Sequence, residues 1–351
     1  MNKRKVVLRA DGNSQIGLGH VYRLLALAEM LKKDYECVFA INNPDEFVLN
    51  EIKKSCSSYI SFKDKIRYQM PDLVEAGDEI QFDLGEYLCG TEIVVTDGYL
   101  FGEKYQLSVK ATGAKLVSID DLAVNHFFGD AVINHAPGID RSIYNIEPST
   151  LLLTGLDYAM LRQAFFKPFA QKNNSERNAF ISLGGSDYFH YTKKIVQFLL
   201  QDESFKTLYV LTSSSFGSKL LSDLDEMKSS SAKINLHHNL SADELVNVMD
   251  KCTHAFVAAS TILIESYSRG LKCFTGYYVE NQKFVYNGFI TQHLALGLDS
   301  FIELKKETIS EKIKNQDSIK YLTAPFSSSE ILKVFFFLCK TNNQQNILTI
   351  S

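Results

Sequence analysis

Tryptophan is absent from the 351 residues, and neither sign of charge is in clear excess: 37 Lys and Arg stand against 41 Asp and Glu, a net charge of -4. That balance gives no electrostatic reason to expect a nucleic-acid partner. Phe and Tyr without Trp suit buried cores better than a base-stacking platform. No stretch approaches the ~18 apolar residues of a membrane span, so no stable membrane insertion is expected. The run behind the basic Met1-Asn2-Lys3-Arg4-Lys5 is too short for a signal peptide. The six cysteines are scattered and never form Cys-x-x-Cys, which argues against a zinc site or a disulfide framework and for buried thiols in a reducing cytoplasm. His126, His135, His190, His237, His238, His254 and His293 lack metal-ligand spacing and are read as structural; no metal and no cofactor are expected. A Gly-x-Ser-x-Gly elbow and a Gly-Lys-Ser/Thr phosphate loop are both missing.

What is present is an alternation of strand and helix signals, repeated once, with no short-period repeat. Val6–Leu8, Cys37–Ile41, Glu92–Thr96, Lys115–Ile119 and Ala131–Asn134 are short apolar runs of the kind that parallel buried strands show. The polar segment 167–177 has the composition of a linker. After it a second cycle begins with the strand Asn178–Leu183, the turn Gly184-Gly185-Ser186-Asp187 and the helix Thr192–Leu200. Thr207–Thr212, Lys233–His237, Ala255–Ala259 and Cys273–Tyr277 are further strands, and Ser327–Leu338 is a closing helix. The expectation is an α/β protein of two Rossmann-like domains facing a cleft, residues 1–166 and 178–340, with a polar tail at 341–351.

Residues 9–23, RADGNSQIGLGHVYR, are the most informative segment. They join the first strand to an amphipathic helix at Tyr22–Lys33, at the sheet edge where open α/β folds bind ligands. Gly17 and Gly19 allow close backbone approach to a ligand, and His20 behind them is a candidate general base. Tyr22 occupies the third-glycine position of a dinucleotide fingerprint, and a helix-capping role for His20 stays open. Asp97 and Tyr99 flank Gly98 at a strand end, where they either contact a sugar and tune His20 or form a plain turn. Asp120-Asp121 offers a divalent-ion pair or, alternatively, a helix cap. In the second half, Gly184-Gly185-Ser186 is a plain turn or a cradle for phosphate oxygens, and Ser260-Thr261 opens the helix Ile262–Arg269 as a cap or a phosphate donor. Glu265, among apolar neighbours, matches a vicinal diol such as a ribose; a solvated helix carboxylate is the alternative.

Together these motifs resemble the UDP-2,4-diacetamido-2,4,6-trideoxy-β-L-altropyranose hydrolases of pseudaminic acid biosynthesis. The segments concerned are Arg9-Ala10-Asp11 through Arg23, Ile119-Asp120-Asp121, Gly155-Leu156-Asp157-Tyr158-Ala159-Met160-Leu161-Arg162, Ser182–Asp187, Ser260-Thr261 with Glu265, and Glu280-Asn281-Gln282. The resemblance implies a glycosyltransferase-B-like fold and metal-independent attack of water at the anomeric carbon. It implies His20 as general base supported by Tyr99, with Asp11, Ser14, Gly17, Gly19, Arg23 and Asp97 around the sugar. The UDP would rest on Gly184, Gly185, Ser186, Ser260, Thr261, Glu265, Asn281 and Gln282. The family commonly carries Asp-His-Tyr where this chain has Asp97-Gly98-Tyr99. The partner implied is a UDP-sugar substrate, and a monomer is expected. A UDP-sugar glycosyltransferase and a non-catalytic nucleotide-sugar binder are the alternatives, the second of which has no need of His20.

Overall fold

The computed structural model describes residues 3–12, 17–63, 80–169, 176–184, 187, 190–213, 216–320, 322 and 326–340. Of the expected features, Ser14, Gly185, Ser186 and the tail 341–351 lie outside these residues.

The first half supplies β1 (Arg4–Ala10), β2 (Tyr35–Asn42), β3 (Ser58–Phe62), β4 (Ile93–Asp97), β5 (Lys115–Ile119), β6 (His126–Phe127), β7 (Ala131–Asn134), β8 (Asn145–Ile146) and β9 (Leu151–Thr154). Its helices are α1 (Gly19–Leu31), α2 (Glu46–Ser55) and α3 (Glu103–Ala111). Seven strands form a parallel sheet in the order β3-β2-β1-β4-β5-β7-β9, while β6 and β8 pair separately. The second half supplies β10 (Arg177–Ser182), β11 (Phe205–Thr212), β12 (Ile234–His238), β13 (His254–Ala258), β14 (Lys272–Tyr277) and β15 (Leu296–Ser300). They form a second parallel sheet, β12-β11-β10-β13-β14-β15. The helices that follow β10 in the chain are α4 (Tyr191–Leu200), α5 (Ser218–Ser230), α6 (Ala242–Met249), α7 (Thr261–Ser268), α8 (Lys283–Thr291), α9 (Lys306–Lys314) and α10 (Ser329–Lys340).

The central strands are apolar because both faces are covered. Val6, Val7, Leu8, Ile93, Val94 and Val95 are fully buried, as are Phe180, Ile181, Phe256 and Val257 in the second sheet. In each sheet the chain reverses direction of winding beside the first strand, at β1/β4 and β10/β13. Loops that leave the carboxyl ends of those neighbours diverge and open a crevice.

The closing helix departs from expectation. Residues 329–340 were grouped with the second domain, yet Ile331, Val334, Phe335 and Leu338 of α10 pack into the core of the first sheet. Phe335 meets Tyr35 edge-on, with ring centroids 6.0 Å apart. Burial of each of these four side chains is worth ~1.5–3 kcal/mol, and together they hold the helix on the first sheet. The turn Gln163–Phe166 crosses the other way: Ala164 and Phe165 belong to a core built mainly from second-domain residues. The start of the linker is pinned by Arg269, which pairs with Asp250 and donates to the carbonyls of Lys167 and Pro168.

Candidate active site

Four strands, β1, β4, β5 and β7, end side by side, and the polar residues of the first domain collect on that edge. Asp97 is the last residue of β4, Asp120-Asp121 follows β5, and His135 follows β7. His20 and Arg23 sit one turn apart on α1, three residues being the spacing that puts both on one face. Arg23 is clamped between two carboxylates. Its Nε and Nη2 donate to Asp97 Oδ2 and Oδ1 at 2.7 and 2.6 Å, and its Nη1 and Nη2 donate to Asp121 Oδ1 and Oδ2 at 2.7 and 2.9 Å. All three side chains are buried. Burial opposes every charge here, but the paired guanidinium outweighs it and holds Asp97 well below the usual carboxylate range. Asp121 is lowered by the same partner.

His20 completes this arrangement. Its Nδ1 lies 2.7 Å from Asp97 Oδ1. A carboxylate only accepts, so Nδ1 carries a proton in this contact, and in the neutral imidazole the lone pair is then on Nε2. Among the described residues nothing hydrogen-bonds to Nε2, and the side chain keeps 15% of its surface exposed. The Tyr99 ring stands edge-on to the imidazole, centroids 4.9 Å apart at 83°. Asn281 reaches Tyr99 from the second domain, donating from Nδ2 to the phenol oxygen at 2.6 Å. The Asn281 Oδ1 is buried with no partner among the described residues. Burial pushes the Tyr99 phenol above its ordinary value, so it stays protonated.

Between Asp97 and Tyr99 the backbone of Gly98 has φ +147°, and a Cβ there would stand 3.1 Å from Phe101. Gly98 therefore comes with a local conformation that a histidine would strain.

Other expected contacts are engaged elsewhere. Asp11 accepts from Arg9 Nη1 at 2.5 Å and from the Asn42 amide at 2.7 Å, tying the end of β1 to the end of β2. Asp120 caps no helix: it accepts from the amides of Leu122 and Ala123 and from the Tyr144 hydroxyl. Burial and the neighbouring Asp121 push its carboxyl up to about 6. Gly17 and Gly19 stand at the entry to α1 with open space where a Cβ would go. His135, read as structural, is a buried imidazole facing the charges of Arg23, Asp121 and Asp97; burial pushes it down to about 4.

On the second domain, Gly184 turns the chain after β10, and Tyr278 closes over it by donating to the Leu183 carbonyl at 3.0 Å. Ser260 stands at the cap position of α7 but makes no side-chain cap bond, and no acid occupies the first turn. The Leu263 amide donates to the Ser260 carbonyl at 2.9 Å, which leaves the amides of Thr261 and Ile262 for an anion. Glu265 is not a solvated helix carboxylate. It is 5% exposed and takes both contacts of Arg162 on Oε1, from Nη2 at 2.8 Å and Nε at 3.2 Å. Gln282 spends its carboxamide oxygen on the Tyr278 amide, bracing the turn that carries Asn281. Arg162 belongs to the segment Gly155–Arg162 that carries the family resemblance, but its partner lies 103 residues away, so the pairing with Glu265 is not legible in the sequence.

Two parallel α/β domains with facing strand ends, exchanging a helix and a turn, define a glycosyltransferase-B fold. Solved structures share it over nearly the whole chain. A calicheamicin glycosyltransferase superposes with TM-score 0.64 at 10% identity, covering 98% of this chain and 100% of that one. A UDP co-structure of S. aureus MnaA gives 0.62 at 11%, again covering 98% and 100%. Acinetobacter baumannii MurG gives 0.59 at 12%, covering 95% and 99%.

Within that class the chain is similar to the UDP-2,4-diacetamido-2,4,6-trideoxy-β-L-altropyranose hydrolase of Campylobacter jejuni, 25% identical over 287 residues, 80% of this chain and 93% of that one. It is also 26% identical over 305 residues to the spore coat polysaccharide biosynthesis protein SpsG of Bacillus subtilis, 82% of each chain. An uncharacterized protein of Methanocaldococcus jannaschii is 25% identical over 297 residues, 82% of this chain; the match spans 58% of that protein's length. No family model matches the chain.

Proposed function

We propose that the protein is a nucleotide-sugar hydrolase that releases UDP and a free 2,4-diacetamido-2,4,6-trideoxy sugar. The observation that carries this reading is the His20–Asp97 contact, with Nδ1 committed to the carboxylate at 2.7 Å and Nε2 left to accept a proton. In the reaction, Nε2 of His20 takes a proton from water as its oxygen attacks the anomeric carbon, and the bond from that carbon to the diphosphate breaks. Asp97 holds the imidazole in the required tautomer and stabilises the imidazolium that forms. The same carboxylate keeps its charge through Arg23, which Asp121 anchors from the other side. Tyr99, braced from the opposite domain by Asn281, bounds the imidazole and excludes bulk water.

The leaving UDP would sit on the second domain. The start of α7 would offer the amides of Thr261 and Ile262 and the hydroxyls of Ser260 and Thr261 to phosphate oxygens, and Gly184, just past β10, lies on the same sheet edge. Glu265 would accept from the ribose hydroxyls. The similarity to the Campylobacter jejuni hydrolase supports this substrate class.

The test is phosphorus NMR of the protein with UDP-2,4-diacetamido-2,4,6-trideoxy-altrose and no acceptor, with and without EDTA. UDP released equally in both conditions is the expected result. UMP with sugar phosphate would mean pyrophosphate cleavage and would remove the role given to His20. An unchanged spectrum would favour a transferase that needs an acceptor hydroxyl.

A further inference from the structure

The Arg162–Glu265 pair joins the two domains at a point the water-activating residues do not use. Arg162 comes from the end of the first domain, just before the turn Gln163–Phe166, and its guanidinium lies over the Phe165 ring at 5.3 Å. Glu265 comes from the second turn of α7, whose amino end carries no side-chain cap and no acid. Both contacts from Arg162 fall on Oε1, and among the described residues Oε2 accepts no hydrogen bond. A nearly fully buried carboxylate is therefore held from the opposite domain by one oxygen, with the other left over, beside amides suited to a phosphate.

We propose that Arg162 is a positioning residue for nucleotide recognition: it holds the Glu265 carboxylate in place, with Oε2 left to accept from the ribose hydroxyls of a bound nucleoside diphosphate. Recognition by the second domain is thereby tied to the seating of the first. The inference rests on the reading of the second domain as a UDP site.

The physical reason is the cost of an unpaired buried charge. Burial pushes the Glu265 carboxyl up, and Arg162 opposes that shift. Without the cation, burial would act on Glu265 unopposed and favour the protonated carboxyl, which loses the doubly accepting character that suits a diol. Among the described residues, Arg162 is the charged group that acts on Glu265. Tyr267 lies on the same helix and the Cys273 thiol on β14, Tyr22 and Glu29 of α1 act on Arg162, and Arg269, just past the end of α7, is paired with Asp250.

The experiment is calorimetric titration of the full chain with UDP and with 2′-deoxy-UDP, for the wild type, Arg162→Met, Glu265→Gln and the double variant, from about pH 6 to pH 9. Wild type should prefer UDP by about 10-fold or more, as a bond to a charged group is worth. Arg162→Met should lose that preference at the acid end of the range and regain it as pH rises and Glu265 ionises. Glu265→Gln should lose it at every pH, and adding Arg162→Met to it should change the preference no further. A preference in Arg162→Met equal to wild type, or an equal loss for both nucleotides at every pH, would overturn the inference and leave Arg162 a brace between domains. Equal binding of the two nucleotides by wild type would also overturn it, with the UDP reading intact. No UDP binding by the wild type would instead overturn the UDP reading itself.

Discussion

Asp97 serves His20 and Arg23 with the same oxygen: its Oδ1 lies 2.7 Å from the imidazole Nδ1 and 2.6 Å from the guanidinium Nη2. Removing the imidazole and removing the carboxylate should therefore have different consequences. His20→Ala is expected to lower kcat about 100-fold or more while leaving UDP affinity nearly unchanged, since it deletes only the proton acceptor. Asp97→Asn should lower kcat as well, and should also destabilise the fold by ~3–5 kcal/mol, because Arg23 loses a buried charge partner. Steady-state kinetics, UDP titration and thermal melts separate the two. Equal melting temperatures for both variants would mean that Arg23 does not depend on Asp97.

The sheets were legible because their strands are short apolar runs that end in glycine or acid. Lys115–Ile119 and Ala131–Asn134 match the observed strands residue for residue, and β1 extends the expected Val6–Leu8 to Arg4–Ala10. Of the edge strands, β12 was legible as Lys233–His237, but β3 has no buried residue and Leu151–Thr154 lacks the flanking turn signals that marked the others. The site was legible where one segment supplies it, as in Gly17 to His20. It was not legible where charges meet across the fold. Arg23 was expected to touch substrate, yet its partners Asp97 and Asp121 lie 74 and 98 residues away and close around it completely. The destination of α10 was hidden for the same reason, since an amphipathic pattern tells which face is buried and not against which sheet.

The hydrogen bond from Asn281 to Tyr99 is the polar contact nearest His20 that crosses between domains. Tyr99→Phe keeps the ring against the imidazole and deletes the acceptor, leaving the Asn281 amide without its partner. Turnover should fall several-fold, and Asn281→Ala should fall by a similar amount. The double variant should then be little worse than either single one, with a coupling of about 0.5–3 kcal/mol from a double-mutant cycle on kcat/KM. Additive losses would mean that the two residues act separately.

Stability should fall on mild acidification, by a sign that can be worked from three buried groups. His135 and His254 are pushed from 6.5 down to about 4 by burial, so between those values the unfolded chain binds two protons that the folded chain refuses. Asp120 is pushed from 3.8 up to about 6, so over most of the same window the folded chain holds one proton that the unfolded chain has released. The net excess in the unfolded state is one proton, which makes stability drop by about 1.4 kcal/mol per unit as pH falls through that window. Urea unfolding between about pH 6 and 4.5 checks the slope. Asp120→Asn should steepen it by removing the opposing group, whereas a shallower slope in that variant would reverse the assignment.

Gly288 lies inside α8, where alanine would ordinarily be the better helix former by about 1 kcal/mol. Here a Cβ would fall 1.9 Å from the carbonyl oxygen of Pro137, in the first-domain loop after His135. The obstructing atom is backbone, so neither side can yield by turning a side chain. Gly288→Ala should therefore push α8 away from that loop and disturb the turn before it, where Asn281 reaches for Tyr99. The expected result is a loss of kcat/KM with UDP affinity retained, since the proposed phosphate and ribose contacts lie on α7. A variant more stable than wild type with unchanged turnover would show that this contact opens freely and that the catalytic edge does not need the two domains held at this distance.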